Sequence, residues 1–352
     1  MLIEGIFAAI PTPFYPDERV YYRKIEANIA RYSRTQLSGL VILGSTGEAP
    51  MLSDQETGEV LRCAAGATAP EKVLIAGVSR DSVCATLELA ETAAAAGYDA
   101  ILVHPPSYFG SLAKSEAQLL YFRMIADRSP LPVLLYNAPG SPEIPVEIVA
   151  ALSQHRRIIG IKDSTSELGR IRQTIVATRS APERTTVVTP VFQAVTGRML
   201  AAADAGQSES AHGFVPATQL AGSTTAAPPM PSPAKTRTRQ VGFQVLAGNA
   251  SLVLPAIEQG ASGAILAFAA FAPEACQEIY YAWKDHDPKL ATMKQERIAA
   301  VNQRIVRELG VSGIKYACDF NGFFGGHPRS PQVQPSAADQ AEIEGLLAGI
   351  RS

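Results

Sequence analysis

Apolar runs of six to eight residues recur along the chain, and polar turns and amphipathic stretches separate them. The runs are rich in Val, Ile and Leu without strict alternation, the pattern of strands buried on both faces. Strands are predicted at 5–10, 39–44, 72–79, 100–105, 131–137, 158–163, 243–248 and 263–268. Between them the period changes to that of helices. Ser53 to Ala67 opens with the capping box Ser53-x-x-Glu56. Ser82 to Ala96 is rich in Ala, Leu and Glu and is followed by Gly97, a suitable C-terminal cap. Eight strands alternating with helices predict a parallel sheet, and at this count a closed (β/α)8 TIM barrel. A doubly wound sheet is the alternative, but no G-x-G-x-x-G follows the first strand. After about residue 284 the strand pattern stops, and Asp287 to Gly310 and Ala337 to Ile350 read as helices. The expected organisation is a barrel over 1–283 and a C-terminal helical extension over 284–352.

One block, about 193–240, breaks the alternation. Lys162 and Gly248, at the ends of the sixth and seventh predicted strands, are separated by 85 residues, and the sixth helix ends near Arg179. The surplus contains a Pro- and Ala-rich stretch, 226–234, then Lys235-Thr236-Arg237-Thr238-Arg239. With almost no large apolar residue it has little to bury, so it is expected to be a disordered insertion, of the kind a retained intron would produce. A helix-to-strand connection lies on the bottom of such a barrel, away from its active-site mouth, which argues against a lid. The basic run then reads as a solvated charge run.

Composition narrows the class. The chain has 352 residues, 47% of them hydrophobic, enough for one large core. A formal net charge of −2 gives no electrostatic reason to expect nucleic acid or a membrane surface. Cys63, Cys84, Cys276 and Cys318 are scattered, with no C-x-x-C and no histidine at metal-ligand spacing. Buried free thiols in a reducing compartment are expected, and no metal or other cofactor. The longest apolar stretch, Gly263 to Cys276, is too short to span a bilayer and contains Pro273. The first strand begins at Gly5, which leaves no visible leader, so the cytoplasm is the expected compartment.

Three strand ends carry groups suited to carbonyl chemistry. Lys162 closes the run Ile158-Ile159-Gly160-Ile161-Lys162-Asp163-Ser164. A lysine ending a strand is most often a solvated surface residue. If buried, however, its ammonium form is penalised, and the neutral amine can attack a ketone. The second strand runs into Gly44-Ser45-Thr46-Gly47-Glu48, whose glycines permit a sharp turn and whose successive N–H groups and hydroxyls can hold a carboxylate. The fifth ends in Leu134-Leu135-Tyr136-Asn137-Ala138-Pro139. Active sites of this fold sit at the C-terminal ends of the strands, so Ser45, Thr46, Tyr136 and Lys162 should face one mouth. Gly248 and Asn249 after the seventh strand can line it, and Ile265 on the eighth can pack beside the amine.

With Gly-Ser-Thr-Gly-Glu, Tyr-Asn-x-Pro and Gly-Ile-Lys-Asp in this order and spacing, the chain resembles the dihydrodipicolinate synthase/N-acetylneuraminate lyase family of class I aldolases. The resemblance runs from Gly5 to the C-terminal helices, apart from the 193–240 block. It implies that Lys162 forms an imine with a 2-oxo acid, that Tyr136 carries the proton with Ser45 as relay, and that the Gly44–Gly47 loop holds the substrate carboxylate. Thr46, Gly47, Gly248, Asn249 and Ile265 would complete the substrate pocket. It also implies a homotetramer or homodimer, in which a tyrosine from a neighbouring subunit completes the relay, and Tyr108 is the nearest match. His104 reads as a structural residue at a strand end.

Family members that condense pyruvate with aspartate semialdehyde carry an arginine two residues beyond the proline of Tyr-Asn-x-Pro. Here the stretch is Pro139-Gly140-Ser141-Pro142. Loss of a bidentate carboxylate partner counts against that substrate. Phe243 to Gly248 and Gly313 to Gly326 are most similar to 4-hydroxy-2-oxoglutarate aldolases, and aldolases of 2-keto-3-deoxy sugar acids remain competitors. A small-molecule 2-oxo acid and an aldehyde are the expected partners. A non-catalytic 2-oxo-acid sensor is the alternative from another class.

Overall fold

The computed structural model describes residues 1–110, 114–191, 193–210 and 236–350. The first half alternates strictly: β1 (Gly5–Ala9), α1 (Tyr22–Ser33), β2 (Gly39–Ile42), α2 (Asp54–Ala67), β3 (Val73–Gly77), α3 (Val83–Ala95), β4 (Ala100–Val103) and α4 (Ser115–Arg128). It continues through β5 (Val133–Asn137), α5 (Val146–Ser153), β6 (Ile158–Asp163) and α6 (Leu168–Ala177). Three elements then intervene: β7 (Arg184–Val188), α7 (Gly197–Ser210) and β8 (Arg237–Val241). The alternation resumes with β9 (Gln244–Ala247), α8 (Val253–Glu258), β10 (Gly263–Leu266) and α9 (Pro273–Lys284). Eight parallel strands close in the order β1-β10-β9-β6-β5-β4-β3-β2, so the chain is a (β/α)8 TIM barrel with C-terminal helices.

Successive side chains on each strand point to opposite faces, and here both faces are buried. Phe7, Val41, Ile75, Leu102, Leu134, Ile159, Leu246 and Ile265 fill the barrel interior. Their neighbours, among them Ile6, Leu40, Leu74, Ile101, Leu135 and Ile161, pack under the surrounding helices. This double burial is why the strands read as continuous apolar runs. The predicted signals at helix ends are present. Ser53 and Glu56 form a reciprocal capping box, Ser82 caps α3, and Gly97 follows that helix at φ 86°.

Of the block 193–240 expected to be disordered, residues 211–235 lie outside the described residues, and its two flanks form α7 and β8. β7 and β8 pair antiparallel, Arg184 opposite Val241 through Val188 opposite Arg237. Val188 and Val241 bury against Leu2, ahead of β1, so the ribbon covers the N-terminal end of the barrel. Arg184 donates to the carbonyls of Ile158 and Ile159 at the start of β6. Arg198 of α7 donates to Gly97 O and pairs with Asp99, just before β4. Only two inward valines and a few long-range contacts order this ribbon, too weak a local pattern for sequence periodicity to expose. Arg237 and Arg239 are exposed on the edge strand, and Arg239 pairs with Glu4. The Pro- and Ala-rich stretch 226–234 lies outside the described residues.

The extension contains α10 (Pro288–Val301), a π-helical stretch Asn302–Glu308, α11 (Gly310–Phe320) and α12 (Ala337–Leu347). A helix was expected to end near Gly310, yet α11 starts there, and Gly310 takes φ 62° to break the direction between the two. All four cysteines are free; Cys276 and Cys318 are buried as expected, but Cys84 is exposed. No helix among the described residues is long and apolar enough to cross a membrane.

Candidate active site at the barrel mouth

Lys162 is the penultimate residue of β6, in register with Tyr136 on β5 and Leu246 on β9. In-register positions of parallel strands share a face, so Lys162 and Tyr136 both enter the barrel interior. Both are 4% exposed, and the Lys162 Nζ lies 4.1 Å from the centroid of the Tyr136 ring. The Ser45 and Tyr136 hydroxyls are 3.4 Å apart. Burial pushes the Tyr136 phenol upward, but the Lys162 charge and bonds from Ser45 and Ser164 outweigh it and leave the phenol below its ordinary value. A phenol so shifted ionises more readily, as a proton carrier must.

The strand ends are braced from behind. Asp163, wholly buried, accepts from Asn137 Nδ2 at 2.9 Å and from Arg170 Nε at 2.9 Å. Arg170 also reaches Glu143 and the carbonyl of Ile144. The residue after each reactive side chain therefore locks β5 to β6. Gly248 sits against this brace: its N–H donates to Asp163 O at 2.6 Å, and a Cβ there would lie 2.2 Å from Ser164 Oγ. Only glycine fits.

Ser45–Gly47 form a tight 3₁₀ turn, closed by Gly47 N–H to Gly44 O at 2.9 Å. Thr12 Oγ1 donates to Gly47 O at 2.7 Å. Ser45 is exposed to the mouth, whereas Thr46 and Gly47 are buried. Gly77 at the end of β3 permits this packing, since a Cβ there would meet Leu43 O at 2.1 Å and Gly44 N at 3.1 Å.

Sequence reasoning missed what holds Glu48. This residue takes a left-handed φ of 56° and is almost fully buried. Its carboxylate pairs with Lys315 of α11, itself fully buried. Glu48 Oε2 also accepts from Arg329 N–H at 3.0 Å and Gln332 Nε2 at 2.9 Å. The Lys315 Nζ donates to His327 O at 2.7 Å and lies 4.3 Å from the Phe14 ring centroid. Burial lowers the Lys315 ammonium to about 8, while Glu48 opposes that shift. Arg329 donates two parallel hydrogen bonds to the Glu56 carboxylate, at 2.8 and 2.7 Å. The C-terminal extension thus clamps the second-strand loop from outside the barrel. The one available signal was a lysine inside the otherwise apolar face of α11.

A cavity of about 590 Å³ opens above the strand ends, lined in part by Ser45, Tyr136, His104, Ser141, Arg80 and Gln332. Burial lowers the His104 pKa, and its Nδ1 lies 2.8 Å from Pro105 O and 3.2 Å from Ser141 Oγ. Ser45 and Tyr136 line this cavity, and Lys162 lies beside Tyr136 within the barrel. Ile265 is wholly buried in the interior cluster that includes Tyr136. One expected pocket residue, Asn249, is engaged away from the cavity. The Asn249 amide is taken up by Thr165 O, Ser251 N–H and Asn302 Nδ2, which tie the β9 end to the extension. Tyr108 is 80% exposed, packed edge-on against Phe109, and does not reach the cavity of its own chain. Among the described residues no group of three or more His, Cys, Asp or Glu could hold a metal ion.

Comparison with known proteins supplies an independent view. The model of the Dihydrodipicolinate synthetase family matches residues 2–186 and 231–349. A relative named probable 4-hydroxy-2-oxoglutarate aldolase, mitochondrial, from Emericella nidulans is 26% identical over 97% of this chain and 93% of its own length. A 4-hydroxy-tetrahydrodipicolinate synthase from Natronomonas pharaonis is also 26% identical, over 96% of this chain and 94% of its own. Among solved structures, YagE from E. coli K12, a family member in complex with pyruvate, superposes with a TM-score of 0.76 at 24% identity, covering 99% of each chain. Overall identity does not separate aldolase from synthase.

Proposed function

The chain belongs to the dihydrodipicolinate synthetase family and is a carbon–carbon lyase of the aldolase kind, and we propose that it cleaves a 4-hydroxy-2-oxo acid through an imine on Lys162. The observation that carries this reading is the buried amine 4.1 Å from the Tyr136 ring, with Ser45 3.4 Å from the phenol oxygen. Neutral Lys162 adds to the C2 ketone to give a carbinolamine, whose hydroxyl takes a proton from Tyr136 and leaves as water, giving an iminium and a phenolate. Tyr136, with Ser45 as relay, takes the proton from the 4-hydroxyl as the C3–C4 bond breaks. The aldehyde leaves, and the bonding electrons pass into the iminium to form an enamine. Protonation at C3 and hydrolysis then release pyruvate and restore the amine. For 4-hydroxy-2-oxoglutarate the aldehyde is glyoxylate. The tight Ser45–Gly47 turn is suited to hold the C1 carboxylate, with the Thr46 N–H and the Ser45 hydroxyl as donors and Gly47 closing the turn beneath them.

The wall beyond Pro139 favours the aldolase over the synthase. Ser141, two residues beyond Pro139, stands in place of the arginine expected of a semialdehyde-condensing synthase and bonds to His104, so a carboxylate at the substrate's tail has to be held from another wall of the cavity. Tyr108, exposed beyond the rim, is available to serve a neighbouring copy in a homodimer or homotetramer. The reaction takes place wherever 2-oxo acids are supplied, and the cytoplasm is the proposed compartment.

Borohydride added with pyruvate should reduce the imine to a stable secondary amine, detected by mass on the peptide carrying Lys162. This is paired with release of pyruvate from 4-hydroxy-2-oxoglutarate. Comparison of that specificity constant with the one for condensation of pyruvate with aspartate semialdehyde decides between the two chemistries; a larger value for the semialdehyde restores the synthase. Trapping without cleavage of any 4-hydroxy-2-oxo acid would leave a sensor.

A further inference from the structure

The mouth cavity contains a cation that the proposed chemistry does not use. Arg80 lies three residues beyond Gly77, the glycine that lets the carboxylate-binding turn pack against β3. It lines the same cavity as Ser45 and Tyr136, and its side chain is 22% exposed. Its backbone is fixed, the N–H donating to Thr86 Oγ1 at 3.1 Å and the carbonyl accepting from the Tyr121 hydroxyl at 2.6 Å. The guanidinium is held far more loosely. It touches Ser79 O at 3.0 Å, and it reaches Asp54 Oδ1 and Thr57 Oγ1 only at 3.4 Å. Asp54 is 91% exposed, so that ion pair is long and well hydrated. The other carboxylates of the cavity are engaged: Glu48 by Lys315, and Asp81 by the N–H groups of Ser107 and Tyr108. His104 is kept toward its neutral form by burial. Among the described residues that line the cavity, Arg80 is the one with a permanently charged cationic side chain.

Resting on the aldolase reading, we infer that Arg80 binds a second carboxylate, at the far end of the substrate, and so selects dicarboxylic 4-hydroxy-2-oxo acids over sugar acids with neutral tails. The geometry supports the division of labour. The turn at Ser45–Gly47 is suited to one end of the substrate and the Lys162–Tyr136 pair to its middle, while Arg80 lines the same cavity as Ser45 and Tyr136 with its guanidinium on Asp54 and Thr57, outside both. A carboxylate at about 2.8 Å, bonded in fork geometry, displaces a hydrated contact at 3.4 Å. A polyol tail gives a guanidinium no such return, because it carries no charge to pair.

The test is a ratio of specificity constants in the full chain: cleavage of 4-hydroxy-2-oxoglutarate, with a terminal carboxylate, over 4-hydroxy-2-oxopentanoate, with a terminal methyl. Arg80→Gln should lower this ratio about 10- to 100-fold, the scale of a hydrogen bond between charged groups. Arg80→Lys should recover part of it. Asp54→Asn removes the exposed competitor and should raise the ratio a few-fold, which keeps the test open if Arg80→Gln folds poorly. An unchanged ratio in both Arg80→Gln and Asp54→Asn overturns the inference. Pyruvate trapping on Lys162 should be retained in Arg80→Gln, since pyruvate has no second carboxylate. Failure to trap in the unaltered protein would instead sink the aldolase reading, and this inference with it.

Discussion

Two lysines are buried near the mouth of the barrel, and their surroundings differ in kind. Lys315 is wrapped by partners: the Glu48 carboxylate, the His327 carbonyl and the face of Phe14. Lys162 is almost as buried, yet among the described residues no carboxylate lies within ion-pair reach of it, and its neighbour is the face of a phenol that is held below its ordinary value despite its burial. The adjacent carboxylate, Asp163, is already committed to Arg170 and Asn137. Burial alone therefore does not identify a reactive amine. A lysine bound to a carboxylate is a structural bolt, because an uncompensated buried charge would be left if either partner were removed. An amine meant to attack a carbonyl has to be dry, accessible from a cavity and free of such a partner.

The strongest way to break this contrast is to exchange the roles. Lys162→Ala should abolish both borohydride trapping and turnover, while Lys315→Met, if folded, should still trap pyruvate on Lys162. Trapping on Lys315, or its survival in Lys162→Ala, would mean the amine has been misassigned. Next in size, Tyr136→Phe should keep some imine formation but lower turnover by about 100-fold or more, the scale of a positioned proton carrier. Single-turnover mass spectrometry separates those two steps, and full turnover in Tyr136→Phe would remove the phenol from the mechanism.

On the structural side, Lys315→Met should cost about 3–5 kcal/mol in urea unfolding, because it strands the Glu48 carboxylate in the interior. Adding Glu48→Gln should recover much of that loss. A Lys315→Met variant within about 0.5 kcal/mol of the parent, the range of ordinary surface changes, would make the pair incidental.

The smallest effect concerns the outer part of the clamp. Bonding to Arg329, with help from the Ser53 cap, draws the Glu56 carboxyl down to about 2 from an ordinary 4.5. A carboxylate whose folded pKa lies below its unfolded one stabilises fully above about 4.5, and that contribution fades as pH falls toward 2. Glu56→Gln keeps a residue able to complete the capping box with Ser53 but loses the charge. It should cost about 1 kcal/mol near neutral pH, since both groups are partly exposed. The melting-temperature gap to the parent should narrow as the pH is lowered from 5 to 3. A gap independent of pH would assign the cost to packing.

Much of the catalytic end was legible because its determinants are local. Strand runs, capping boxes and turn glycines occupy a few consecutive residues each, and the barrel brings every strand end to one rim. Lys162, Tyr136 and Ser45 could therefore be brought together from their positions at strand ends. Asn249 was legible only in place, since its bonds run to Asn302 in the extension and turn its amide from the cavity.

The sequence by itself determined the eight strands of the barrel, their order and which three side chains close its reactive strands, because those depend on short continuous apolar runs and on a helical period of about four residues. The tertiary structure alone decided which buried lysine has a carboxylate, that Arg80 reaches the same cavity as Ser45, and that the segments around 184 and 241 zip into a ribbon beneath the barrel. Those are pairings between residues far apart in the chain. No local period encodes them, and only closure of the barrel and docking of the extension bring them within bonding distance.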